Sequence, residues 1–150
     1  MEDHASVSRP AALRLTLACQ LSAVRAVGRT VHSFLAQQGC AQDDIVASEL
    51  ALVEACNNAI QYAKGEQVQQ PVHIEVLCDL KEITLQITDH TSGFEWPIRP
   101  AFPSPESEGG RGLPLIQALT DYSEYQRGGQ GNILRLRKQR SPNLYSTALR

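Results

Sequence analysis

Apolar and polar positions along this chain alternate with two different periods. Leu13, Leu15 and Leu17 are separated by Arg14 and Thr16, the period of two that marks a half-buried strand. In LSAVRAVGRTVHSFLAQQG the spacing changes. Leu21, Val24, Val31 and Leu35 recur as on one helical face, and Gly39 supplies a C-terminal stop. A second helix is expected under a cap from Asp43 or Asp44, running to about Lys64 and ending in Gly65. Steps of about 100° per residue put Ile45, Leu52, Cys56, Ala59 and Ala63 on one side of it. Glu54, Asn58 and Gln61 fall on roughly the opposite side. VHIEVL and ITLQITD alternate again around the polar turn CDLKE and predict an antiparallel hairpin.

The stretch TSGFEWPIRPAFPSPESEGGRG holds four prolines and four glycines, so regular structure is excluded. Its length favours a functional lid. GLPLIQALTDYSEY predicts a third helix with Leu115, Ile116 and Leu119 inward. GGQG then turns into a last strand, NILRLRK, and SPNLYSTALR reads as a loose tail. Strands before, between and after three helices predict an α/β two-layer sandwich, with helices on one face of a mixed sheet. The expectation is one domain over 1–150, with its core at about 11–140 and a tail over 141–150.

Composition narrows the function classes. The 150 residues carry a formal net charge of −2, so no global field directs the chain to nucleic acid or to acidic membranes. No apolar run approaches the ~20 residues of a membrane span. The start, MEDHASVSRP, has acids where a leader peptide needs bases, and a cytoplasmic location is expected. Four cysteines lie far apart in sequence without metal-ligand spacing. They read as small buried hydrophobes in a reducing compartment.

Three places carry candidate chemistry. Glu54 and Asn58, four apart, are neighbours on one helical face. A carboxylate there could take a proton from an attacking hydroxyl, and an amide oxygen could join the oxygen shell of Mg²⁺. A solvated polar face would give the same spacing. Asp89 shares strand parity with Ile83, Leu85 and Ile87, so it points to the side they bury. A buried carboxylate needs donors. An adenine amine is one candidate, a turn with His90 and Thr91 the other. Finally, Gly109, Gly110 and Gly112 precede a helix, whose N-terminus presents free N–H groups to anions. No Lys-Ser/Thr follows, so this is not a P-loop. A flexible hinge is the alternative.

The order of these signals is more specific than any one of them. Glu-x-x-x-Asn-Ala on a helix, a strand ending in Asp with Gly-Phe beyond it, and Gly-x-Gly-Leu opening a helix resemble the GHKL nucleotide-binding superfamily. Within it, VEACNNAIQYA, ITDHTSGFEWP and GGRGLPLIQALTDY are similar to the anti-sigma factor serine kinases of the RsbW and SpoIIAB type, over about Leu13 to Arg137. The resemblance implies the Bergerat fold, binding of ATP with Mg²⁺, and phosphorylation of a serine on a STAS-domain anti-sigma factor antagonist. It also implies sequestration of a partner such as a sigma factor, and a homodimer. By position, Glu54 would be the general base and Asn58 the magnesium ligand. Asp89 would hold the adenine amine and Gly93 would let the backbone approach the base. Gly110, Arg111, Gly112 and Leu113 would line the triphosphate. The family's Asp-x-Gly-x-Gly has Thr91 at its first glycine here. Its hydroxyl could reach the purine through water, or its β-branch could crowd the pocket. A nucleotide-dependent binding module without efficient phosphotransfer is the alternative function. A histidine kinase half would need a phosphoacceptor helix pair, and none of the four histidines sits on one.

Overall fold

The computed structural model describes residues 9–93 and 112–142. Residues 94–111, most of the stretch expected to form a lid, and residues 143–150 of the expected tail lie outside the described residues.

The elements run β1 (Ala11–Leu17), α1 (Leu21–Gln37), α2 (Gln42–Gln61), β2 (Val72–Cys78), β3 (Glu82–Asp89), α3 (Gly112–Leu119), β4 (Tyr122–Gln126) and β5 (Asn132–Gln139). A 3-10 turn over Gly65–Gln69 links α2 to β2. The five strands lie in the order β1-β2-β3-β5-β4. Among the described residues every pairing is antiparallel, where the sequence suggested a mixed sheet. The two-layer arrangement stands. Ile74, Val76, Ile83, Leu85, Ile87, Leu134 and Leu136 turn one face of the sheet into the core, where they meet Val24, Val31 and Leu35 of α1, Ala51, Leu52 and Cys56 of α2, and Ile116 of α3.

Three boundaries differ from the sequence reading. The cap position of α2 is Ala41, with no side-chain cap, and Asp43 and Asp44 sit in the first turn. Asp44 is drawn away from capping by a distant partner. Its carboxylate accepts the Ser141 N–H at 2.6 Å and the Ser141 hydroxyl at 3.0 Å. Helix α2 stops at Gln61, because the Ala63 N–H reaches back only three residues to Ile60 and tightens the chain. DYSEY is not helical. The Thr120 hydroxyl turns onto the Ile116 carbonyl as α3 ends, and Tyr122, Glu124 and Gln126 then alternate with Ser123 and Tyr125 along an edge strand. Tyrosine, at Tyr122 and Tyr125, favours a pleated surface over a helix.

The turn from β2 to β3 and the end of β5 are stitched together. Asp79 accepts the N–H groups of Lys81 and Glu82 at 2.7 and 2.8 Å. The Arg140 guanidinium donates to the Asp79 carbonyl at 2.6 Å and to the Gln38 carbonyl at 3.1 Å. Gly39 ends α1 beside them at φ +75, a left-handed conformation that glycine adopts without strain. Cys40 and Cys78, remote in sequence, meet here as free thiols with their sulfurs 3.6 Å apart.

The sheet's other face carries half-exposed polar side chains. One row crosses all five strands, with Arg14, Glu75, Gln86, Arg135 and Glu124 in register. Arg14 donates to Glu75 at 2.8 Å, and Arg135 donates to Gln86 at 3.0 Å. Arg135 also lies 3.7 Å from Glu124.

Candidate functional site

Topology brings the helix and strand candidates to one end of the molecule. Helix α1 departs near Leu17, and Cys40 after its end touches Cys78, whose partner on β1 is Ala11 at the strand's other end. Helix α2 therefore returns along the sheet, with Asn58 near its close. That end of the sheet also holds Asp89 and Asn132, which face each other across β3 and β5. A side-chain contact across the same end, from Gln67 to Ser92 at 3.1 Å, ties the segment after α2 to the segment after β3.

Glu54 and Asn58 are both half-buried on α2, and neither side chain makes a hydrogen bond among the described residues. They lie on one face, as their spacing predicts, free to meet a ligand. Asn57 is likewise half-buried.

Asp89 is 7% exposed, so its strand parity was legible in the sequence. It makes the turn with Thr91 that a strand-end aspartate can make, and it does more. Its Oδ1 accepts three donors: the Thr91 N–H at 3.0 Å, the Thr91 hydroxyl at 2.8 Å and the Asn132 amide at 2.9 Å. Among the described residues no hydrogen bond falls on Oδ2. With one oxygen saturated and the other unpartnered among the described residues, this geometry suits a ligand that brings an N–H. The single hydroxyl proton of Thr91 goes to Asp89 while its oxygen accepts the Gly93 N–H at 3.1 Å, so it joins the protein's own network.

Gly93 sits at φ +76, and a Cβ there would meet Arg127 Nε and the Tyr125 hydroxyl at 2.9 Å and Asn132 Oδ1 at 3.0 Å. The left-handed φ therefore favours glycine, and the crowding around it adds to the preference. Gly112 opens α3 and Leu113 follows in its first turn, while Gly110 and Arg111 lie outside the described residues. Helix α3 packs against α2, which puts that first turn on the layer that carries Glu54 and Asn58.

Two residues of this end were missed in the sequence. Asn132 is 3% exposed, and its two amide protons go to Asp89 Oδ1 and, at 2.8 Å, to the Thr91 carbonyl. The signal existed, because Asn132 shares strand parity with Leu134 and Leu136. Cys19 has no comparable signal. Its thiol is pushed up from the ordinary value by burial and then by the charge of Asp89, which brings it within electrostatic reach of the site. An open cleft of about 380 Å³ adjoins Thr91 but opens among His90, Glu66 and the glycines of the β4–β5 turn, on the opposite strand parity from Asp89.

A sequence profile described as the histidine kinase-like ATPase domain matches residues 17–138. Serine-protein kinase RsbW of Halalkalibacterium halodurans is 29% identical over 127 residues, which span 79% of this chain and 77% of that protein. Among solved structures, the RsbU and RsbW domains of Rv1364c from Mycobacterium tuberculosis align with a TM-score of 0.66 at 21% identity. That alignment covers 88% of this chain and 33% of the other, so this chain spans about a third of that one. The SiaB-SiaC complex from Pseudomonas aeruginosa aligns at a TM-score of 0.57 and 11% identity, covering 87% and 91%. At these identities the structural likeness speaks for the fold alone.

Proposed function

The chain belongs to the histidine kinase-like ATPase domain family, and from that premise we propose that it is an anti-sigma-factor-type serine kinase. In this reading it binds Mg-ATP, sequesters a regulatory partner such as a sigma factor, and phosphorylates a serine on a STAS-domain antagonist. A homodimer in the cytoplasm fits the same reading. The observation that carries it is the half-satisfied carboxylate of Asp89, at the end of the molecule to which α2 brings Asn58. The likeness to RsbW, itself named a serine-protein kinase, supports the reaction class.

The residues suit their proposed roles. Asp89 Oδ2 would accept from the adenine amine, as carboxylates accept from amino groups on base edges. Glu54 would take the proton of the serine hydroxyl as its oxygen attacks the γ-phosphoryl group and ADP leaves. Asn58 fits Mg²⁺ because its amide is half-buried and has no protein partner among the described residues. A hard cation of this kind takes oxygen ligands and shares them with substrate phosphates, whose charge it neutralises when bound. Gly110, Arg111, Gly112 and Leu113 would supply N–H groups and a positive charge to the phosphates.

Incubating the protein with labelled ATP, magnesium and a STAS-domain antagonist tests this. The expected outcome is label on an antagonist serine, abolished by Glu54→Ala. ATP binding without any transfer would instead identify a nucleotide-dependent binding module.

A further inference from the structure

We infer that Asn132, which would not touch the nucleotide, sets the base selectivity of the site by holding the Asp89 carboxylate with one oxygen saturated and the other turned to the base. The inference rests on the proposed role of Asp89 as the base-binding carboxylate. It concerns a positioning residue.

The argument begins with counting donors. A carboxylate oxygen offers two lone pairs, and Asp89 Oδ1 already receives three N–H or O–H groups. It has no capacity left for a ligand. The Asn132 amide has two protons, given to Asp89 Oδ1 at 2.9 Å and to the Thr91 carbonyl at 2.8 Å. Both are spent, so Asn132 offers no free donor to a purine. The amide cannot be flipped, because its oxygen would then face the Asp89 carboxylate and the Thr91 carbonyl together. Its own Oδ1 lies on the Gly93 side instead, 3.0 Å from where a Cβ would stand.

The terminal torsion of aspartate is soft and roughly two-fold. Thr91 holds Oδ1 from the turn side through adjacent atoms of one residue. Asn132 holds it from the neighbouring strand, in register opposite Asp89. With both in place the ring edge would meet Oδ2, an acceptor held in place and without a donor among the described residues. A 6-amino purine matches that atom, and a 6-oxo purine sets oxygen against it. Without Asn132, a water can occupy the amide's space. Water donates or accepts as required, so it can bridge Asp89 to either base.

Competition binding of ATP and GTP to the wild type, Asn132→Ala and Asn132→Asp tests this, with thermal melts confirming the fold. The wild type should prefer ATP by about tenfold or more. Asn132→Ala should narrow that ratio by about three- to tenfold, the scale of one charge-assisted hydrogen bond. The change should come through gained GTP binding more than lost ATP binding. Asn132→Asp sets a second carboxylate on Oδ1, so ATP binding should be weak near about pH 7.5. It should recover towards about pH 5.5 as the pair comes to share a proton. That pH profile decides the matter if the alanine variant does not fold. A selective wild type with an unchanged ratio in Asn132→Ala, or ATP binding to Asn132→Asp that is flat with pH, would overturn the role of Asn132. A wild type that does not distinguish ATP from GTP would overturn the reading of Asp89 itself.

Discussion

Two carboxylates are buried at opposite ends of this molecule, and they are used differently. Asp44, 1% exposed, has both oxygens occupied, Oδ2 by the Ser141 N–H and Oδ1 by the Ser141 hydroxyl. Asp89, 7% exposed, gathers three donors on one oxygen, and among the described residues none falls on the other. The surroundings follow the same division. Around Asp44, the Arg140 guanidinium and the Asp79 turn close one polar group onto another. Around Asp89, the half-buried amides and carboxylate of α2 are left without partners among the described residues. A buried charge that serves the fold is satisfied by the fold. One that keeps an oxygen unpartnered, as Asp89 does among the described residues, is left able to meet a ligand.

The comparison can be broken at either end. The largest effect is expected from Glu54→Gln, which should reduce phosphotransfer to the antagonist by about 10²–10⁴-fold, the usual share of a general base. ATP affinity and thermal stability should stay at wild-type values in calorimetry and melting. Transfer at the wild-type rate would remove Glu54 from the chemistry.

Asp44→Ala should act in the opposite sense. It leaves the Ser141 N–H and hydroxyl without their acceptor, at a cost of about 1–3 kcal/mol in denaturant unfolding. The preference for ATP over GTP should be untouched, and a changed preference would show that the two ends are coupled.

Asp89→Asn sharpens the contrast further. The three donors require an oxygen at the Oδ1 position, so the new amide nitrogen must take the place of Oδ2. A donor there suits a 6-oxo purine. ATP binding should weaken and the ATP-to-GTP ratio fall by about tenfold, while the melting temperature changes little. Equal binding of both nucleotides by the wild type would reduce Asp89 to a turn residue.

The smallest effect is expected at Asp79, at the stitched end. The N–H groups of Glu82 and then Lys81 hold its carboxyl below the ordinary carboxylate value. A depressed folded-state pKa stabilises above the unfolded-state value and ceases to do so as pH falls through the folded one. Asp79→Ala should therefore lower stability slightly at neutral pH, and the difference should vanish in melts at pH below the usual carboxylate range. A difference that persists there would assign the effect to packing.

Much of this contrast could be read from residue order, and the rest could not for physical reasons. The burial of Asp89 follows from its parity with Ile83, Leu85 and Ile87, because a strand's alternation is a local property. The face shared by Glu54 and Asn58 follows from helical spacing in the same way. The true partner of Asp44 does not. Ser141 lies 97 residues away, so a local rule assigned the carboxylate to a helix cap. YSEY was absorbed into the preceding helix because an edge strand buries too little to break the apolar pattern before it. Asn132 was readable in principle, as a polar residue at an inward position beside Leu134 and Leu136. Its meaning depends on β5 lying next to β3, which only the assembled sheet supplies.

The polar row on the open face of the sheet bears on how the strands find their alignment. Inward and outward alternation forbids a slip of one residue, since that would expose the whole core face of a strand. It does nothing against a slip of two, which returns every side chain to its own face. The row supplies that missing check. If β1 slipped by two against β2, Arg14 would stand opposite Leu77 or His73 instead of Glu75. The same slip between β3 and β5 would set Arg135 against Thr84 or Thr88 instead of Gln86. Each error forfeits a cross-strand pair worth about 0.2–1 kcal/mol. Modest as each is, together they act as a proofreading mark for the register that places Asn132 opposite Asp89.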